Sequence, residues 1–186
     1  MSAFRALRAF KLPVALFAFS ALLTTPVPAQ RSLQDERAVK AAFVFNLTKY
    51  VEWPNPASEL LIGYVGDPLM GETLQKLLEG KTSDSRIIHV LIAPSDQDLT
   101  RCALLYIAEP SSRKLHALLE RVRDRNTLTV GDSGSFAKEG GMVGLVRNGD
   151  QVQIQVNLQA AQAAQLKISS RLLNLSTIIR DGKEVR

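Results

Sequence analysis

Gly131-Asp132-Ser133-Gly134 copies the start of a serine-nucleophile signature, and such a serine needs a histidine to take its proton. The chain holds two histidines. His89 sits inside the apolar run Ile87-Ile88-His89-Val90-Leu91, and His116 falls mid-helix among charged neighbours. Neither has the local context of a general base. A turn whose Asp and Gly suit the backbone geometry accounts for the same four residues. Gly63, Gly66 and Gly71 lie near a strand-to-helix turn, as in a dinucleotide loop. Their spacing is G-x-x-G-x-x-x-x-G rather than G-x-G-x-x-G, and Asp67 would repel a pyrophosphate.

Metal ligation fares no better. The two histidines and the single cysteine, Cys102, stand far apart, with no two at ligand spacing. Cys102 has no partner for an internal disulfide and reads as a buried thiol at the start of a strand. A phospho-accepting domain would cluster acids at strand ends, where Asp67 and Glu109 stand. The basic residues Arg113, Lys114, Arg121, Arg123 and Arg125 are interrupted by Glu120 and Asp124, as on a solvated helix face. The expectation is a protein that is not an enzyme and carries no cofactor or metal.

The first 29 residues set the compartment. Arg5, Arg8 and Lys11 precede an apolar run from Leu12 to Leu23, and Val27-Pro28-Ala29 offers small residues before Gln30. That order is a secretory signal peptide cleaved near Ala29-Gln30, and the apolar run is too short to span a membrane. The leader carries three positive charges and no acids. The mature part is therefore only +2 against +5 for the whole chain, and no nucleic-acid partner is called for. Residues 30–180 are expected to form one α/β domain, and 181–186 a loose charged tail.

Hydrophobic spacing supplies the elements. Residues 34–51 read as a helix with Val39, Phe43, Leu47 and Tyr50 on one stripe, ended by Trp53-Pro54-Asn55-Pro56. Phe45 and Val44 lie off that stripe, which leaves the helix with surplus apolar surface. Leu60–Gly66 reads as a buried strand, with Asp67 and Pro68 opening the next helix. Further strands are expected at 87–93, 104–108 and 128–130, with a helix carrying Leu115, Leu118, Leu119 and Val122 between the last two. Residues 142–146 and 152–156 flank Asn148-Gly149 as a β-hairpin. An Ala-rich helix over 158–166 and a last helix over 168–179 follow, the latter with Ile168, Leu172, Leu175 and Ile179 on one stripe. Leu173 and Ile178, off that stripe, also need cover. The fold class is an α/β sandwich, a mixed and mostly parallel sheet flanked by helices, with a C-terminal β-hairpin followed by helices.

The two ends with surplus apolar surface also carry a family resemblance. Lys40-Ala-Ala-Phe43-Val-Phe45-Asn46-Leu-Thr-Lys49-Tyr-Val-Glu52-Trp53-Pro54 resembles the opening motif of the YfiR family of periplasmic proteins. Asn157-Leu158-x-Ala160-Ala161-x-x-Ala-x-Leu166-x-Ile168-Ser169-Ser170-x-Leu172-Leu173 is similar to its closing motif. Ile62–Asp67, Leu128–Val130 and Phe136-Ala-x-x-Gly140-Gly141-Met142 follow the family in the same order.

The resemblance implies a small non-enzymatic periplasmic protein that represses an inner-membrane diguanylate cyclase by contacting its periplasmic sensor region. It also implies control of cyclic di-GMP and biofilm formation, and release of the cyclase by an outer-membrane lipoprotein. Some members serve a sensor kinase instead. Family members often carry paired cysteines, whereas here Cys102 stands alone. Phe45, Leu173 and Ile178 are the residues expected to contact a protein partner. Asn46, Lys49, Trp53, Ser169 and Arg171 are those expected to hold a small ligand. The apolar surplus is also compatible with a homodimer. The second reading of the chain is a periplasmic module that binds a small molecule or cell-wall fragment.

Overall fold

A computed structural model describes residues 28–185 other than 109, 110 and 150; the expected leader falls almost wholly outside these. In chain order the elements are α1 (Pro28–Leu47), β1 (Val51–Glu52), β2 (Glu59–Val65), α2 (Pro68–Leu78), β3 (Thr82–Ser83), β4 (Arg86–Ile92) and α3 (Asp96–Leu99). There follow β5 (Leu104–Ile107), α4 (Ser112–Val122), β6 (Leu128–Gly131), β7 (Val143–Asn148), β8 (Gln151–Asn157) and α5 (Leu158–Ala163). The chain then forms β9 (Lys167–Ile168), α6 (Ser170–Asn174), β10 (Ser176–Arg180) and β11 (Lys183–Val185).

Nine strands make one sheet in the order β11-β10-β8-β7-β6-β5-β2-β4-β3. Strands β4, β2, β5, β6 and β7 run parallel, β7 and β8 close an antiparallel hairpin, and β10 lies parallel to β8. The mostly parallel mixed sheet expected from the sequence is the one observed. Side chains alternate across it. Leu104 and Tyr106 of β5 enter the core with α1 and α2, while Leu105 and Ile107 pack with Leu115 and Val122 of α4. A strand buried on both faces must be apolar at successive positions, which is why β5 reads Leu-Leu-Tyr-Ile.

Local chemistry explains most boundaries. Asp67 accepts from the Leu69 amide, and Pro68 occupies the first turn of α2. Asn157 accepts from the Ala160 amide and starts α5. In the β7–β8 hairpin Asn148 pairs with Gln151, and Gly149 supplies the positive φ of +60°. Phe136 explains two glycines at once. A Cβ on Gly131 would sit 2.2 Å from its ring, and one on Gly141 would sit 2.1 Å from it.

The structure corrects four expectations. First, α1 runs from Pro28 to Leu47 and buries Ala41, Val44 and Leu47, so that of the expected stripe Leu47 is buried, Phe43 and Tyr50 are half-buried and Val39 is outside. The inner face also carries Lys40, whose long stem lies inside while its ammonium meets acids, a behaviour that apolar counting misses. Val39 is consequently 45% exposed. Second, the expected helix over 168–179 is broken into the five-residue α6 and strand β10. Thr177, Ile178 and Ile179 are β-branched, and the open edge of β8 offers them backbone partners. Third, α5 stops at Ala163, with Gln165 in left-handed geometry. Fourth, residues 183–185, expected to trail, pair antiparallel with β10. Reciprocal bonds of 3.2 Å between Gln159 and Asp181 hold the turn before them.

Candidate functional site

The two ends of the domain meet in a small sheet of their own. Val51 of β1 pairs with Ile168 of β9, and the Ser169 amide donates to the Tyr50 carbonyl at 2.8 Å. The turn after α1 is thereby joined to α6. Ser169 caps α6 by accepting from the Arg171 amide at 3.2 Å, and the Arg171 side chain is exposed. Asn46 and Lys49 are exposed on the last turn of α1 and just beyond it. The Lys49 and Lys81 ammonium groups stand 4.3 and 5.2 Å from the Phe45 ring, which is half-buried. Trp53 is buried, and its indole N–H donates to the Ala103 carbonyl at 2.9 Å. Phe45, Asn46 and Lys49 thus lie at the end of α1, and the Tyr50–Ser169 bond joins that turn to the helix that carries Arg171.

An exposed apolar strip lies beside them. α6 ends at Asn174, and the next residue, Leu175, is 77% exposed before the chain turns into β10. It lines a groove of about 360 Å³ with Phe43, Val152 and Ile154, rimmed by the polar Asn148, Gln151 and Gln153. Val39 is one helical turn from Phe43 and adds to the same face of α1. Leu173 and Ile178 flank Leu175 in sequence and are half-buried against the core. Water tolerates single exposed apolar residues; a contiguous apolar strip marks a surface made for contact.

Between Glu36 and Lys40 of α1 the polar chemistry is concentrated. In this strand order β2 and β5 flank the topological switch point, and ligands of doubly wound sheets bind outside the carboxyl ends there. Here α1 closes that crevice. Lys40 Nζ lies 2.8 Å from Asp132 Oδ2 and 2.9 Å from Glu36 Oε1. Arg147 meets Glu36 at 2.9 Å, and Arg37 lies 3.8 Å from Asp67. The Tyr106 hydroxyl donates to Asp132 at 3.2 Å, and its ring stands edge-on to Tyr64. Burial, then the Asp132 charge, pushes both tyrosine hydroxyls well above their ordinary range. The hydrogen bond from Lys40 holds the Glu36 carboxyl low. Loss of solvent acts to lower the Lys40 pKa, but the bonds to Asp132 and Glu36 outweigh it and leave it raised.

The nucleophile candidates have other employment. Asp132 of the Gly131–Gly134 turn holds Lys40 and Tyr106. His89 bonds Glu79 at 2.9 Å, while Glu79 also accepts from the Val90 amide. His116 bonds the Ser112 carbonyl at 2.7 Å in its own helix. The Cys102 thiol donates to the Asp98 carbonyl, and burial pushes its pKa up to about 11, which leaves it an inert thiol. Among the described residues no three of His, Cys, Asp and Glu gather as metal ligands would. Nor is any described helix long and apolar enough to cross a membrane.

A family model described as YfiR/HmsC-like matches residues 37–177, from the inner face of α1 to the middle of β10. The chain belongs to the YfiR/HmsC-like family. A search of the curated proteins gave no match. The matched span of this YfiR/HmsC-like domain holds Lys40 and Asp132, the β1–β9 junction, and the Phe43–Leu175 groove. Sequence reasoning named Asp132 as a turn residue and Lys40 as part of a motif but missed that they meet each other and Tyr106, because the partners are far apart in the chain. A lysine facing the core side of a helix was the one local signal.

Proposed function

We propose that this YfiR/HmsC-like chain is a non-enzymatic periplasmic regulator. It binds the periplasmic sensor region of an inner-membrane diguanylate cyclase, or of a sensor kinase, and represses it. The observation that supports this reading is Leu175, the most exposed large hydrophobic residue described, set at a groove of mixed polar and apolar lining within a YfiR/HmsC-like domain. The contact surface runs through Leu173, Leu175 and Ile178 at the C-terminal end and Val39 and Phe43 on α1, with Phe45, beside Lys49 and Lys81 on another side of that helix, as a separate contact. Repression needs only that the chain binds the inactive state of the cyclase better than the active one. A second binder of the same face, such as an outer-membrane lipoprotein, then releases the cyclase by competition.

The test is cyclic di-GMP in cells that hold an inner-membrane diguanylate cyclase with a periplasmic sensor region. Supplying the exported chain should lower the nucleotide, and the Leu175→Glu chain should not. An unchanged level with the wild-type chain would contradict repression.

A further inference from the structure

Arg86 opens β4 and is 9% exposed. Its guanidinium lies 4.9 Å from the Trp53 ring centroid. Its ion partner among the described residues is Asp84, at 3.7 Å and with a carboxylate that is 66% exposed. A guanidinium has five N–H donors, and none of those on Arg86 makes a hydrogen bond among the described residues. A cation so far withdrawn from water is costly unless an anion meets it. Two clefts open on this group, of about 290 and 680 Å³, and both are lined by Trp53, Pro56, Ala57 and Arg86. Arg101 and Arg125 line the first; Arg125 has no ion pair among the described residues, and Arg101 has one at 4.0 Å with Asp98.

We propose that this cleft is a binding site for a small carboxylate-bearing molecule. The carboxylate takes the planar fork of Arg86 in a two-point hydrogen bond, a geometry that a point charge such as lysine does not reproduce. The body of the ligand rests against the Trp53 ring, which the bond to Ala103 holds in place. Glu59 and Asp124 also line the cleft, which disfavours a polyanion and selects a singly charged group. The site stands apart from the Leu175 groove and does not rest on the docking proposal.

Trp53 is the chain's one tryptophan, so its emission reports on the surroundings of Arg86. The folded chain is titrated with sodium acetate against sodium chloride at constant ionic strength. Acetate should give a saturable change in emission that chloride does not. The apparent affinity should fall about tenfold or more in Arg86→Met, fall less in Arg86→Lys, and hold in Arg113→Met, a change on exposed α4. Should Arg86→Met not fold by circular dichroism, Arg125→Met serves, with a weaker but measurable loss expected. A response identical to chloride, or an unaltered titration in the folded arginine variants, overturns the site. A saturable response to inorganic phosphate without one to acetate overturns the carboxylate assignment.

Discussion

Lys40 and Asp132, 92 residues apart in sequence, meet at 2.8 Å and pin the first helix across the switch point of the sheet. The crevice in which doubly wound folds commonly take a ligand is thereby filled by the chain's own ammonium group. Glu36 and Tyr106 complete the cluster, so the charge of Lys40 is balanced at the position where its stem enters the core. In this protein α1 is part of the domain rather than an appendage to it.

Lys40→Met should destabilise the domain by about 2 kcal/mol, between the values typical of exposed and buried pairs. For a domain of this size that lowers the melting temperature by roughly 4–8 °C. Asp132→Asn should cost a similar amount, and the double variant less than the sum, because both remove one interaction. Additive losses in a thermal melt series would show that the two side chains do not stabilise each other.

Stability should fall at both pH extremes, with a sign set by this cluster. The Glu36 carboxyl is held below its ordinary 4.5 mainly by the Lys40 hydrogen bond, so its contribution is present above that value and lost as pH falls through the lowered one. Lys40 is raised above 10.5, so its contribution is present below that value and lost as pH rises through the raised one. Tyr64 and Tyr106 add to the alkaline loss, since unfolding frees them to ionise near 10.0. Urea midpoints across pH should therefore form a plateau with two limbs. Lys40→Met should remove most of the Glu36 part of the acid limb, leave the part due to Glu79 and Glu139, whose carboxyls are held low by the Val90 amide and by Ser135, and leave the tyrosine part of the alkaline one.

Much of this architecture was legible in the sequence. Alternating apolar runs and capped helices announced the parallel sheet, because strands buried on both faces leave an unambiguous pattern at β2 and β5. Asn148-Gly149 marked its hairpin. The C-terminal region was misread because Ile168, Leu172, Leu175 and Ile179 satisfy a helical spacing that local pattern cannot distinguish from a turn followed by a strand. The edge of β8, which draws Ser176–Arg180 into the sheet, exists only in the assembled fold. The Lys40 cluster was hidden for the same reason: its partners come from α1, β5 and the loop after β6.

Gly131→Ala and Gly141→Ala should each destabilise the domain by about 1–3 kcal/mol, since the added methyl meets the Phe136 ring. Phe136→Leu in the Gly141→Ala background should restore part of the loss. Chemical denaturation of the four chains checks this; a Gly141→Ala chain as stable as the parent would mean that Phe136 moves aside freely.

Cys102 should resist thiol reagents in the native chain. Its pKa of about 11 and its burial leave almost no thiolate at neutral pH, so modification should follow the rate of unfolding rather than reagent concentration. Rapid labelling of the folded chain would contradict this, and would reopen a redox role for the residue.

Leu175→Glu should leave stability within about 0.5 kcal/mol of the parent, because the side chain is 77% exposed and has little burial to lose. That separates folding from contact and permits the decisive measurement. Calorimetry should be run with the chain from Gln30 to Arg186 and the periplasmic region of a membrane diguanylate cyclase or sensor kinase from the same cell. The account predicts binding by the parent chain and its loss in the equally stable Leu175→Glu variant. Absence of binding by the parent, or equal binding by both, would contradict a regulator that docks through this face.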